Sequence, residues 1–66
     1  MEMVSVSSSR ISKVGWEKNK LYIVFKDGAM YEYDNVYPEE YQAFMNSPSL
    51  GSEISRLDKI HPYRRI

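Results

Sequence analysis

The chain of 66 residues predicts an α+β fold, a small antiparallel sheet of three or four strands followed by two short helices. Three observations carry that expectation. Leu21-Tyr22-Ile23-Val24-Phe25 is dense in β-branched and aromatic side chains, the composition of a strand packed on both faces. Asp27-Gly28 follows it directly, a dipeptide that tolerates positive φ at both central positions of a tight hairpin turn. Tyr41, Phe44 and Met45 then recur at the i, i+3 and i+4 spacing of an amphipathic helix. Strands first and helices second argue for an α+β layer rather than a parallel-sheet unit. The length permits one domain, residues 1–66,.

Each element follows in order. Met1 to Val6 alternates loosely, with Val4 and Val6 on one side if extended, and Ser7-Ser8-Ser9 interrupts it. Arg10 to Glu17 reads as a strand in which simple alternation sets Ile11 opposite to Val14 and Trp16. Gly15 marks a bulge or a close backbone approach. Lys18-Asn19-Lys20 is a polar hairpin turn. In the next strand Leu21, Ile23 and Phe25 share one face, with Tyr22 and Val24 on the other. In the third, Ala29, Tyr31 and Tyr33 oppose Met30 and Glu32. Pro38 suits the first helical position, and Glu39 and Glu40 favour the positive end of a helix dipole. Asn46-Ser47-Pro48 ends that helix. A second helix over about Ser52 to Lys59 places Ile54, Leu57 and Ile60 on one side, and Pro62 stops it. The expected core includes Leu21, Ile23, Phe25 and Phe44.

Composition narrows the function. Nine Lys and Arg balance nine Asp and Glu, whereas a nonspecific polyanion binder carries a basic excess. The one asymmetry is the tail, where Arg56, Lys59, Arg64 and Arg65 face only Asp58. No cysteine is present, so disulfide staples and cysteine zinc sites are excluded, and self-association is the expected means of adding buried apolar area. No apolar run approaches the roughly 18 residues of a membrane span, and no signal-peptide core follows Met1. The expected location is cytoplasmic, or the host cytoplasm if the source is viral.

Candidate site residues come from ring chemistry and anion chemistry. Six tyrosines, two phenylalanines and one tryptophan supply flat faces that hold a core or stack on a base. Trp16, Tyr22, Tyr33 and Tyr63 are the stacking candidates. Ser8 and Ser9 can donate to phosphate, and Arg10 or Arg65 can neutralise it. Arg64 and Arg65 together read as a solvated tail or a phosphate clamp. Gly15, Gly28 and Gly51 are isolated and form no phosphate loop. His61 stands alone before Pro62 with no ligand pair predictable around it, so no metal site and no cofactor are expected. No prealigned constellation marks an enzyme.

From Val4 to Tyr63 the chain resembles the KTSC-domain family, small modules named for an occurrence at the C-terminus of lysyl-tRNA synthetases. The resemblance is carried by Val4-Ser5-Val6-Ser7-Ser8-Ser9-Arg10-Ile11, Val14-Gly15-Trp16 and Leu21 to Gly28. It continues through Tyr31-Glu32-Tyr33-Asp34-Asn35-Val36, the helix opened by Pro38, and Ser49-Leu50-Gly51 with the helix through Ile54. The chain departs from the family pattern at Trp16, where a tyrosine is often found, and at Ile54-Ser55, where an aromatic and an asparagine are usual. The resemblance implies a small α+β domain and no settled general activity. The synthetase association implies RNA as one partner. Stand-alone relatives in bacteria and phages imply another role, a phage accessory protein that sequesters a nucleotide-derived host immune signal.

Residues and resemblance together predict a non-catalytic module whose partner is a small anionic nucleotide-like ligand. One or two placed cations suffice for such a ligand, whereas a long polyanion draws on many. RNA or DNA binding and a protein-interaction or structural role are the alternatives.

Overall fold

The computed structural model describes all 66 residues. Seven elements follow in chain order: β1 (Met3–Ser5), β2 (Ile11–Glu17), β3 (Lys20–Phe25), β4 (Met30–Tyr33), α1 (Pro38–Met45), α2 (Leu50–Ile60) and β5 (Tyr63–Arg65). The strands form one antiparallel sheet in the order β1-β2-β3-β4-β5. The α+β class is as expected, but the sheet has five strands rather than three or four. The fifth comes after the helices and returns to pair with β4.

The two hairpin turns differ in type. Lys18 and Asn19 both have positive φ, 52° and 61°, the pattern of a two-residue turn whose twist matches the flanking strands. At Asp27-Gly28 only Gly28 is left-handed, with φ 94°. Gly28 N–H donates to the Phe25 carbonyl and Phe25 N–H to the Ala29 carbonyl. This is a three-residue loop that ends in a glycine bulge, not the two-residue turn the dipeptide suggests. Asp27 Oδ1 accepts from Ala29 N–H at 3.0 Å and fixes the loop,.

A bulge also reorganises β2. Ile11 pairs with Phe25 and Lys13 with Val24, so Ser12 is the extra residue. One inserted residue reverses every face before it. Ile11 therefore joins Val14 in the core, both fully buried, where alternation alone sets them apart. The bulge lies at Ser12 rather than at Gly15. Gly15 instead permits a close approach: an added Cβ would meet the Met3 and Met1 thioethers.

The helices cover one face of the sheet. The core contains Ile11, Val14, Leu21, Ile23, Tyr33, Val36, Phe44, Ile54 and Leu57. Pro38 opens α1, with Glu39 and Glu40 in its first turn. Ser49 caps α2, its hydroxyl accepting from Ser52 N–H,. Phe44 and Leu57 are buried as expected, Phe25 only partly, and Ile60 is exposed. Ile60 is the last residue of α2. The accessible surface is 4170 Å², against roughly 4,400 Å² for a self-contained monomer of this mass. The core thus closes within one chain.

The other sheet face has no element over it. Glu32 lies there, 7% exposed, with Lys20 Nζ 3.6 Å from its Oε1 and the Arg64 guanidinium paired to the same oxygen. No helix is long and apolar enough to cross a membrane.

Candidate functional site: an aromatic groove at the β5 margin

Two short helices do not cover five strands. Where the sheet runs beyond α2, a groove of about 520 Å³ opens between the β3–β5 side of the sheet and that helix. Its volume falls within the range of small-molecule sites, about 300–1,000 Å³. The strand register decides what lines it. Ile23 pairs with Tyr31 and Leu21 with Tyr33. Tyr31 in turn pairs with Arg65, and Tyr33 with Tyr63. Side chains directly across an antiparallel pair share a face. All six therefore project to the helix side, and Phe25 joins them from the end of β3.

The rings form one continuous cluster. Phe25 meets Tyr31 edge-on with centroids 5.5 Å apart. Tyr63 lies 5.9 Å from Tyr31 and stacks on Tyr33 at 5.3 Å and 30°. Tyr33 is the floor at 1% exposure, whereas Tyr63 is 48% exposed and forms the accessible wall. The Tyr33 hydroxyl donates to Asp58 Oδ1 at 2.7 Å. Burial and that carboxylate both push the Tyr33 phenol well above its ordinary value, so it stays protonated and keeps donating,.

Charge is arranged along the groove. Arg10, Lys26 and Arg65 line it together with Asp27 and Asp58. Lys26 N–H donates to the Arg10 carbonyl, which joins the two backbones beside the β3–β4 turn. Arg65, across from Tyr31, lies on the same side. Arg10 Nη1 donates to the Gly51 carbonyl at 3.2 Å, which positions the guanidinium against α2 and leaves further donors free. Asp27 is engaged by its own turn. Asp58 stands at the opposite end with Tyr33.

The structure brings Arg10, Tyr33, Tyr63 and Arg65 to this groove and places the other candidates elsewhere. Ser8 and Ser9 border a separate polar cleft with Ser49 and Gly51. There Ser8 Oγ accepts from the Arg10 and Ile11 amides at 3.2 Å each, so its acceptor capacity serves the bend. Trp16 packs over α1, stacked on Tyr41 at 5.8 Å and 19°, and its indole donates to the Val36 carbonyl at 2.8 Å. Tyr22 lies on the open sheet face, paired across from Glu32,. Burial and a bond to Glu32 raise its phenol. Neither Trp16 nor Tyr22 can share a ligand with Tyr33. Arg64 and Arg65 are successive residues of β5, not a loose tail, and alternation sends Arg64 to Glu32 and Arg65 to the groove,. They cannot form one clamp.

Phe25, Lys26, Tyr31 and Asp58 are groove residues absent from the expected set. Tyr31 was within reach, because alternation already puts it beside Tyr33. His61 is committed to structure. Its Nε2 meets Glu40 Oε2 at 2.7 Å and its Nδ1 meets the Asp34 carbonyl at 2.9 Å, tying the end of α2 to α1 and to the exit of β4. No cluster of three or more His, Cys, Asp or Glu is placed to hold a metal ion.

Comparison with known proteins agrees with this architecture. A match to the KTSC domain covers residues 7–56. An uncharacterized protein of Stutzerimonas stutzeri (strain A1501) is 35% identical over 66 residues, covering 97% of this chain and 93% of its own. The chain belongs to the KTSC-domain family.

Proposed function

We propose that this KTSC-family protein is a non-catalytic module that captures a small anionic ligand of nucleotide type in the groove beside β5. One observation carries the reading: three accessible aromatic side chains, Phe25, Tyr31 and Tyr63, and three cations, Arg10, Lys26 and Arg65, line a single groove of about 520 Å³. A base stacks on tyrosine with little side-chain entropy lost, and phosphate takes forked bonds from arginine. Residues that open the groove come from β3, β4, β5 and α2, so a rigid sheet holds the rings in place before any ligand arrives.

Capture without turnover suits a sequestering role. In a phage setting it would withdraw a nucleotide-derived host immune signal, an act that needs affinity and abundance rather than chemistry. Long RNA or DNA is the weaker reading. Three groove cations stand near two carboxylates, and the chain as a whole carries no net charge, so the many phosphate contacts of polymer binding have no surface to make them.

Calorimetry against nucleoside mono- and diphosphates and cyclic dinucleotides tests the proposal. Binding is expected to saturate at one ligand per groove, and heating is expected to release the ligand chemically unchanged. Arg65→Ala should weaken every phosphorylated ligand about tenfold, since a charge-assisted bond is worth about 1.5–3 kcal/mol before exposure reduces it. No binding by any of them at millimolar concentration refutes the reading, and an altered ligand would make the protein an enzyme.

A further inference from the structure

The groove is polar along its length. Lys26 follows β3 and Arg65 stands across from Tyr31, while Arg10, whose carbonyl accepts from Lys26 N–H, sends its guanidinium to the Gly51 carbonyl at the start of α2. Its far end holds Asp58, one of whose oxygens accepts from the buried Tyr33 hydroxyl at 2.7 Å. Asp58 is a poor neighbour for phosphate. It has a use only if the ligand turns a hydrogen-bond donor toward it. From Tyr31 to Tyr33 the strand rises two residues, roughly 7 Å, room for a ribose between a base at the Asp58 end and a phosphate at the Arg65 end.

Resting on the reading of this groove as a nucleotide site, we infer that it selects a guanine base, with Asp58 accepting from the guanine N1–H and N2 amino group while Tyr63 stacks on the ring. An ionised carboxylate accepts and never donates, and its two oxygens offer about four lone-pair sites. Tyr33 occupies one, so both oxygens still accept from a ligand. Two acceptors side by side need two donors side by side. Guanine presents that pair on one edge. Adenine and cytosine set an amino donor beside a ring-nitrogen acceptor, whose lone pair a carboxylate repels. Uracil and thymine offer one N–H flanked by carbonyls, which it repels as well. Hypoxanthine keeps N1–H and lacks the N2 amino group.

Tyr33 is the positioning residue. Its ring is locked under Tyr63, and its single O–H is spent on Asp58. That bond fixes the carboxylate's orientation without supplying a competing donor to the ligand.

The decisive measurement is calorimetric titration of the full chain with GMP, IMP and AMP, repeated on Asp58→Asn. GMP is expected to bind at least about tenfold more tightly than IMP or AMP, the discrimination one good bidentate pair supplies. Asp58→Asn should bring GMP down to the affinity of IMP while leaving phosphate-dependent binding in place. The asparagine keeps an oxygen for the Tyr33 hydroxyl, so the melting temperature should change little. If the variant does not fold, the comparison of GMP with IMP on the unaltered protein decides alone. Equal affinities for GMP and IMP there overturn the guanine assignment and leave the groove a nucleotide site. A preference for GMP that survives in Asp58→Asn also overturns it. Failure of all three nucleotides to bind overturns the guanine assignment, and the diphosphates and cyclic dinucleotides then decide the underlying site.

Discussion

Tyr33→Phe removes one oxygen from the floor of the groove and nothing else. The ring is 1% exposed and would keep its stack with Tyr63 and its place in the core. What is lost is the 2.7 Å bond to Asp58. A hydrogen bond to a charged group is worth about 1.5–3 kcal/mol. Asp58 is an exposed residue and recovers water when the phenol is gone, so a loss near 1 kcal/mol is expected at pH 8. The alkaline limb makes the test specific. The folded-state pKa of Tyr33 is raised, first by burial and then by Asp58. The folded protein therefore holds this proton more firmly than the unfolded chain. The contribution is fully present below the ordinary phenol value of 10.0 and is lost as pH rises above it, because unfolding then releases a proton. The limiting slope is about 1.4 kcal/mol per pH unit, and water at the groove rim reduces it. Urea titrations from pH 8 to 11 should show wild type about 1 kcal/mol ahead at pH 8, with the gap closing toward pH 11. Equal stability at pH 8, or a gap that stays constant across the range, would refute the reasoning.

Two further outcomes test the fold that holds the groove. Phe44 is fully buried between α1 and the sheet, so Phe44→Ala should cost about 3–5 kcal/mol. A domain of this size has only about 3–10 kcal/mol in total, and circular dichroism should find the variant partly unfolded at 25 °C; a loss below about 1 kcal/mol would contradict the packing. The Asp34 carboxyl is held below its ordinary value chiefly by the bond from Lys20 Nζ at 2.7 Å. Its stabilising contribution is present above the ordinary carboxylate value of 3.8 and is lost as pH falls through the lower folded value. Acid unfolding followed by tryptophan fluorescence should therefore begin at a higher pH in Lys20→Ala than in wild type.

Much of this fold is legible residue by residue, and the places where it is not share a cause. Alternation through Leu21, Ile23 and Phe25, and again through Tyr31 and Tyr33, is local, and the register confirms both faces. Pro38 and its two glutamates mark α1 by local chemistry as well. The Ser12 bulge has no such mark, because an extra residue is visible only against a partner strand. Its effect is large, since it turns Ile11 into the core. β5 is illegible for a related reason. Tyr63-Arg64-Arg65 is three exposed residues with no apolar alternation, and β4 alone makes it a strand. The candidate site inherits the same division. Its tyrosines and arginines are visible as residue types, but their grouping depends on which strand faces which. Once Leu21 pairs with Tyr33, Tyr22 must face away from Tyr33, and no ligand can stack on both.

β5 is the element on which the groove depends. Without it, β4 would be an edge strand and Tyr33 would lie under solvent, with neither the Tyr63 stack nor the Arg65 charge. With it, the sheet becomes wider than the two helices above, and the surplus width is the groove. Arg64 marks the register of the strand. A shift of one residue would carry Arg64 to the helix side and turn both Tyr63 and Arg65 onto the open face, with Arg65 or Tyr63 opposite Glu32 according to its direction,. Either shift empties the helix side of Tyr63 and Arg65, and the one that sets Tyr63 opposite Glu32 also leaves that acid, 7% exposed, with Lys20 alone,. The ion pair between Arg64 and Glu32 on the open face goes with the register that aims Tyr63 and Arg65 into the groove. Part of the groove's geometry is thus tied to the opposite side of the sheet.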